Sequence, residues 1–128
     1  MLELNIPEIV AEVEEAIARY ERALVENDLA ALDGSFWPSP LVVRFGYASA
    51  QYGAEALADY RRTRTLGDFR RHLWNQTVTT FGRDFAIATV EYQRSDQDRQ
   101  GRQSQTWVRT PGGWRIVLAH VSRRDPAE

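Results

Sequence analysis

Apolar residues recur along the first stretch of the chain at three- and four-residue spacing: Ile9, Val10, Val13, Ala16, Ile17, Tyr20, Leu24 and Val25. That spacing predicts an amphipathic helix. Pro7 stands where a first helical turn tolerates proline. Glu8, Glu12, Glu14 and Glu15 place negative charge in its N-terminal half, where the macrodipole favours it. Asn27-Asp28 interrupts the pattern. Asp28 can then cap a second, short helix holding Leu29, Ala30, Leu32 and Phe36. Trp37-Pro38-Ser39-Pro40 ends it, because two prolines cannot continue a helix.

The periodicity then changes. Leu41 to Phe45 has strand character, and Gly46 to Gly53 forms a turn or the second strand of a hairpin. Gly53 to Arg64 returns to helical spacing with Ala56, Leu57, Tyr60 and Arg61, and Gly67-Asp68 breaks it. From Arg70 onward the chain reads as an antiparallel meander. Its strands are Arg70–Thr80, Phe85–Arg94, Arg102–Thr110 and Trp114–Ser122, separated by Gly82-Arg83-Asp84, the polar segment Ser95–Gly101 and Pro111-Gly112-Gly113. The tail Arg123–Glu128 is expected to fray. Helices early and strands late predict one α+β domain over residues 1–128, a curved sheet wrapped around N-terminal helices with a pocket between the layers.

Composition narrows the chemistry. The 128 residues hold no cysteine, which removes thiol catalysis, disulfides and cysteine–zinc sites. All sixteen basic residues are arginine, so no Schiff-base or phosphate-loop lysine exists. The net charge of −2 hides a gradient: residues 1–36 carry −7 and residues 37–128 carry +5. No dense basic run suggests nucleic-acid binding. No apolar run reaches membrane-spanning length and no signal peptide is visible, so a cytoplasmic protein is expected. The two histidines, His72 and His120, are far apart, and no metal-ligand spacing, nucleophile elbow or dinucleotide fingerprint is present. No cofactor and no metal are expected.

What remains is a set of polar residues on apolar elements. Tyr20 lies on the apolar stripe of the first helix and is either a satisfied core tyrosine or a phenol aimed into a cavity. Arg44 is enclosed in Leu-Val-Val-Arg-Phe, and a buried guanidinium needs an anion, either an internal carboxylate or that of a ligand. Arg61, Arg62 and Arg64 end the third helix, where cations suit the dipole, and Arg64 is expected to turn inward. Gln103, Gln105 and Trp107 alternate on one strand face. Trp114, Ile116, Leu118 and His120 are expected to share a face of the last strand, making His120 a candidate acid or base. His72, next to Arg70 and Arg71, is expected to be exposed.

These residues resemble a known family. The order helix, helix, hairpin, helix, meander is similar to the NTF2-like (SnoaL-like) cone fold. The narrower resemblance rests on several segments: Arg19-Tyr20-Glu21, Phe36-Trp37, Val43-Arg44-Phe45-Gly46, Thr79-Thr80-Phe81-Gly82-Arg83-Asp84-Phe85-Ala86, Gly101 to Arg109, Trp114-Arg115-Ile116-Val117 and Ala119-His120-Val121-Ser122. Together they resemble the AtzH-like family, which includes proteins labelled as oxalurate-catabolism protein HpxZ. The resemblance implies a small homodimer, paired through its sheet, in ureide nitrogen catabolism. It implies metal-free decarboxylating hydrolysis of 1,3-dicarboxyurea to allophanate, with active-site positions matching Tyr20 and Arg44. Arg64, Gln105, Trp107 and His120 are the further residues expected to bind substrate.

The residues agree with such chemistry. Loss of carbon dioxide from an N-carboxylate needs the carboxylate held and the nitrogen protonated, not a nucleophile. Arg44 can clamp and the Tyr20 phenol can donate or orient. Two other readings stay open at this level. One is a ureide-binding accessory protein serving an oxalurate or carboxybiuret amidase. The other is an interaction module whose pocket does nothing.

Overall fold

A computed structural model describes residues 1–64 and 67–124. The chain runs α1 (Pro7–Glu26), α2 (Leu29–Ser35), β1 (Val43–Phe45), β2 (Ala50–Tyr52), α3 (Ala54–Thr63), β3 (Arg71–Phe81), β4 (Phe85–Arg94), β5 (Gln100–Thr110) and β6 (Gly113–Arg123). The six strands form one sheet in the order β2-β1-β6-β5-β4-β3. All neighbours are antiparallel except β1 and β6. This is the expected α+β architecture.

Helix α1 forms where the apolar stripe predicts it. Ile9, Val13, Ala16, Ile17, Tyr20 and Ala23 are its buried residues. They pack with Leu32, Phe36 and Leu57 against the inner faces of β4, β5 and β6. The helix stops at Asn27, whose φ of 51° is a left-handed conformation that asparagine tolerates. Asp28 then caps α2 by accepting from the Ala31 amide at 3.1 Å. An N-cap of this kind contributes on the order of 1 kcal/mol, so Asp28→Ala should lower unfolding free energy by about that amount in urea melts. A variant as stable as the parent would show that packing of Leu32 alone holds α2.

Two irregularities shape the sheet. β3 is bulged between Trp74 and Thr77, with Asn75 at φ 54°. β6 is bulged against β5: Trp107 pairs with Ile116, but Thr106 pairs with Leu118, leaving Val117 as the extra residue. That insertion reverses the side-chain alternation of β6. Trp114 and Ile116 are buried before it. After it Leu118 and His120 face outward, while Ala119 is buried. The expectation that Trp114, Ile116, Leu118 and His120 share one face is thereby corrected. The last strand also extends further than expected. Arg123 pairs with Gly101 and the Arg124 amide donates to the Gln100 carbonyl; residues 125–128 of the expected frayed tail lie outside the described residues. No helix is long and apolar enough to cross a membrane among the described residues.

Candidate functional site

A cavity of about 260 Å³ lies between the helices and the open end of the sheet. That is just below the range of about 300–1,000 Å³ typical of drug-sized ligands and suits a smaller molecule. Tyr20, Arg44 and Arg64 all line it, so three residues singled out in the sequence meet in one place.

Arg44 reaches the cavity by strand register. It pairs with Gln51 across the β1–β2 hairpin and with Ala119 of β6, whose neighbours put this parity on the inner face. Direct cross-strand pairing sets the two side chains side by side, and Arg44 donates to Gln51 Oε1 at 3.0 Å. Its guanidinium lies 5.1 Å from the centre of the Tyr60 ring. A Cβ at Gly46 would come within 2.9 Å of Arg44 Nη1, so glycine leaves room for the fork. No carboxylate lies within ion-pair distance of Arg44 among the described residues.

Arg64 arrives from the end of α3. Leu57, Arg61 and Arg64 fall on one helical face, and all three line the cavity. Arg64 donates to Asn27 Oδ1 at 2.9 Å and lies over Phe69 at 4.6 Å. Its Nε is buried without a partner. Burial lowers its pKa from the ordinary guanidinium value, partly offset by the neighbouring tyrosines. Tyr20 is 8% exposed and sits edge-on to Phe36, with 6.2 Å between ring centroids. Its phenol has no hydrogen-bond partner among the described residues.

Three more guanidiniums line the cavity, and sequence reasoning passed over their roles. Arg61 pairs with Asp33 at 2.8 Å. Arg94 pairs with Asp96 at 2.8 Å. Arg71, whose side chain is 5% exposed, pairs with Glu21 and donates to Gln103 Oε1 at 3.2 Å. Burial works against the charge on Arg71, but its hydrogen bonds to Glu21 and the charge of that carboxylate prevail and raise its pKa. A signal for two of these was present. The alternation Ala86, Ala88, Val90, Tyr92 is the buried face of β4, so Tyr92 and Arg94 belong to it. Arg71 then faces inward as the cross-strand partner of Arg94. His72, of opposite parity, is exposed and stacks on Trp74.

Three expected binding residues do not line this cavity. On β5, Gly101, Gln103, Gln105 and Trp107 are all buried, but only Gln103 is level with the cavity. Each step of two residues climbs about 7 Å along a strand. Gln105 therefore lies deeper, beside a small void under Ile17, and accepts from Trp107 Nε1 at 3.1 Å. Trp107 is a core residue, 1% exposed. His120 is on the outer sheet face, edge-on to Phe45 at 5.6 Å, because of the Val117 bulge.

Tyr92 depends on a missing side chain. It pairs with Gly101 across the β4–β5 ladder, and a Cβ there would fall 2.2 Å from its ring. The phenol end of the ring lies against the glycine, and Arg71 lies over the ring at 4.6 Å. Gly101→Ala should push the Tyr92 ring into the cavity, lower stability by about 1–3 kcal/mol and weaken ligand binding. A melting curve and ligand titration matching the parent would show that the ring is free to move elsewhere.

Residues 2–127 match the model of the AtzH-like family. A protein with unknown function from the DUF3225 family of Pectobacterium atrosepticum is 43% identical, covers 95% of each chain and superposes with a TM-score of 0.92. A cystatin-like fold protein from Burkholderia xenovorans is 44% identical, covers 99% of this chain and 100% of its own, and has a TM-score of 0.93. An NTF2-like superfamily protein from Salmonella enterica is 26% identical over 94% and 93% of the chains, with a TM-score of 0.74. No curated protein matches. A cone-shaped α+β fold and a family match along almost the whole chain agree: this chain belongs to the AtzH-like family and has the NTF2-like fold.

Proposed function

We propose that the cavity decarboxylates a small N-carboxylated urea, with 1,3-dicarboxyurea giving allophanate as the representative reaction. One observation carries this. Among the described residues no carboxylate lines the cavity, and of its five guanidiniums only Arg61, Arg71 and Arg94 have acidic partners. Arg44 and Arg64 are left uncompensated. Assembling like charges in a half-buried space is unfavourable unless an anion joins them. Two cations suit a ligand with two negative charges. Oxalurate, the ureide in the label of the HpxZ-type proteins, has one carboxylate and fits this charge less well.

The chain's residues supply what the reaction needs. Arg44 holds the departing carboxylate and Arg64 the retained one, each offering a planar fork. The C–N bond to the held carboxylate breaks, carbon dioxide leaves, and the electron pair stays on nitrogen. Tyr20 donates its proton there, giving the amide of allophanate. The phenolate that remains shares the cavity with Arg61, Arg64 and Arg71 until solvent returns the proton. Hydration of carbon dioxide completes the net hydrolysis.

Proton-decoupled ¹³C NMR on fresh 1,3-dicarboxyurea, run beside its spontaneous decay, tests the proposal. The expected result is faster formation of allophanate and bicarbonate, abolished by Arg44→Ala. Thermal stabilisation by the ligand without faster decay would instead make the protein a ureide carrier.

A further inference from the structure

The five guanidiniums of the cavity divide by the chemistry of their acceptors. Arg61, Arg71 and Arg94 donate to the carboxylates of Asp33, Glu21 and Asp96. Arg44 and Arg64 donate instead to side-chain amides, Gln51 Oε1 at 3.0 Å and Asn27 Oδ1 at 2.9 Å. An amide oxygen and a carboxylate oxygen can occupy the same position and accept the same hydrogen bond. They differ by one unit of charge. We infer that Gln51 and Asn27 are specificity-determining residues: they seat Arg44 and Arg64 without neutralising them and so set the cavity to select dianions over monoanions. This rests on the proposed role of those two arginines as ligand clamps.

Both amides are held where a carboxylate would fit. Gln51 is 6% exposed, and its Nε2 donates to Ser49 Oγ at 2.9 Å, which turns Oε1 toward Arg44. With glutamate at this position the serine hydroxyl can donate instead of accept. Asn27 ends α1 in the left-handed conformation, which aspartate also adopts. Gln51→Glu and Asn27→Asp therefore preserve shape and add one negative charge each. A carboxylate beside a guanidinium stays ionised.

The test uses two stable probes of one length. Glutarate separates two carboxylates by three atoms, as 1,3-dicarboxyurea does; glutaramate, its half-amide, carries a single charge. Calorimetric titration of the parent should show glutarate preferred by about 10-fold or more. Each variant should lose about 10-fold or more in glutarate affinity and largely retain glutaramate, since the lost attraction is to the second charge. Melting temperatures should equal or exceed the parent's, because each substitution adds an ion pair and removes no hydrogen bond. Unchanged glutarate affinity in both variants would overturn the inference, and so would equal loss of both probes with a fall in melting temperature. A parent indifferent to probe charge would overturn it together with the dianion reading. A parent that decarboxylates 1,3-dicarboxyurea, with Gln51→Glu doing so at unchanged KM, would overturn the inference alone.

Discussion

Arg44→Lys should lower kcat/KM for 1,3-dicarboxyurea by about 10²-fold or more, because it keeps the charge and loses the fork. The guanidinium is oriented by two contacts: Gln51 Oε1 accepts one N–H at 3.0 Å and the Tyr60 ring lies 5.1 Å away, while the missing Cβ of Gly46 leaves room for the fork. Those contacts leave the remaining donors in a fixed plane, which a carboxylate can meet in two parallel hydrogen bonds. An ammonium on a flexible stem can satisfy Gln51 or the ligand but cannot hold both in that plane. Arg44 has no ion pair to lose among the described residues, so the substitution should leave the melting temperature near the parent's. Rates from the ¹³C assay, with a thermal melt on the same sample, check both halves. A rate near the parent's would remove Arg44 as clamp.

Some of this site was legible in the sequence and some was not, for physical reasons that differ by residue. Tyr20 was readable because a helix stripe gives each position one direction, and the stripe of α1 is unbroken. Arg44 was readable because a charge among four apolar neighbours has to be explained. Its partner was not. The internal-carboxylate reading of Arg44 and the ligand reading predict the same local sequence, and only the β1–β2 register shows an amide there. Arg64 was expected inward and is; Arg61, three residues earlier on the same face, is the more buried of the two. His120 was placed on the wrong strand face for a definite cause. Period-two reasoning assumes an uninterrupted strand, and the single extra residue Val117 reverses every side chain after it. Gln105 and Trp107 lie away from the cavity for a different reason: alternation groups them on one face with Gln103, but it does not say how far along a strand the cavity extends. The helices and the meander, by contrast, follow from periodicity, proline and glycine placement, and these are local.

Tyr20→Phe should separate binding from chemistry more sharply than any other change at this site. Four phenols line the cavity, and three have their rings covered by guanidiniums: Tyr47 by Arg123 at 4.0 Å, Tyr60 by Arg44 at 5.1 Å and Tyr92 by Arg71 at 4.6 Å. Burial also raises the pKa of Tyr92, which makes it a poorer proton donor. The ring of Tyr20 instead meets Phe36 edge-on, and its hydroxyl bonds to no protein group among the described residues. Phenylalanine fills the same volume and leaves no orphaned partner behind, so the fold should tolerate it at a cost well under that of a core truncation. The clamps remain, so glutarate affinity should stay close to the parent's. A positioned general acid contributes about 10² to 10⁴-fold, and kcat for 1,3-dicarboxyurea should fall by that factor while KM changes little. Tyr60→Phe and Tyr92→Phe serve as controls and should lose much less in kcat. Unchanged turnover in Tyr20→Phe would assign the proton to another donor; loss of glutarate binding together with turnover would make Tyr20 a ligand contact rather than the acid.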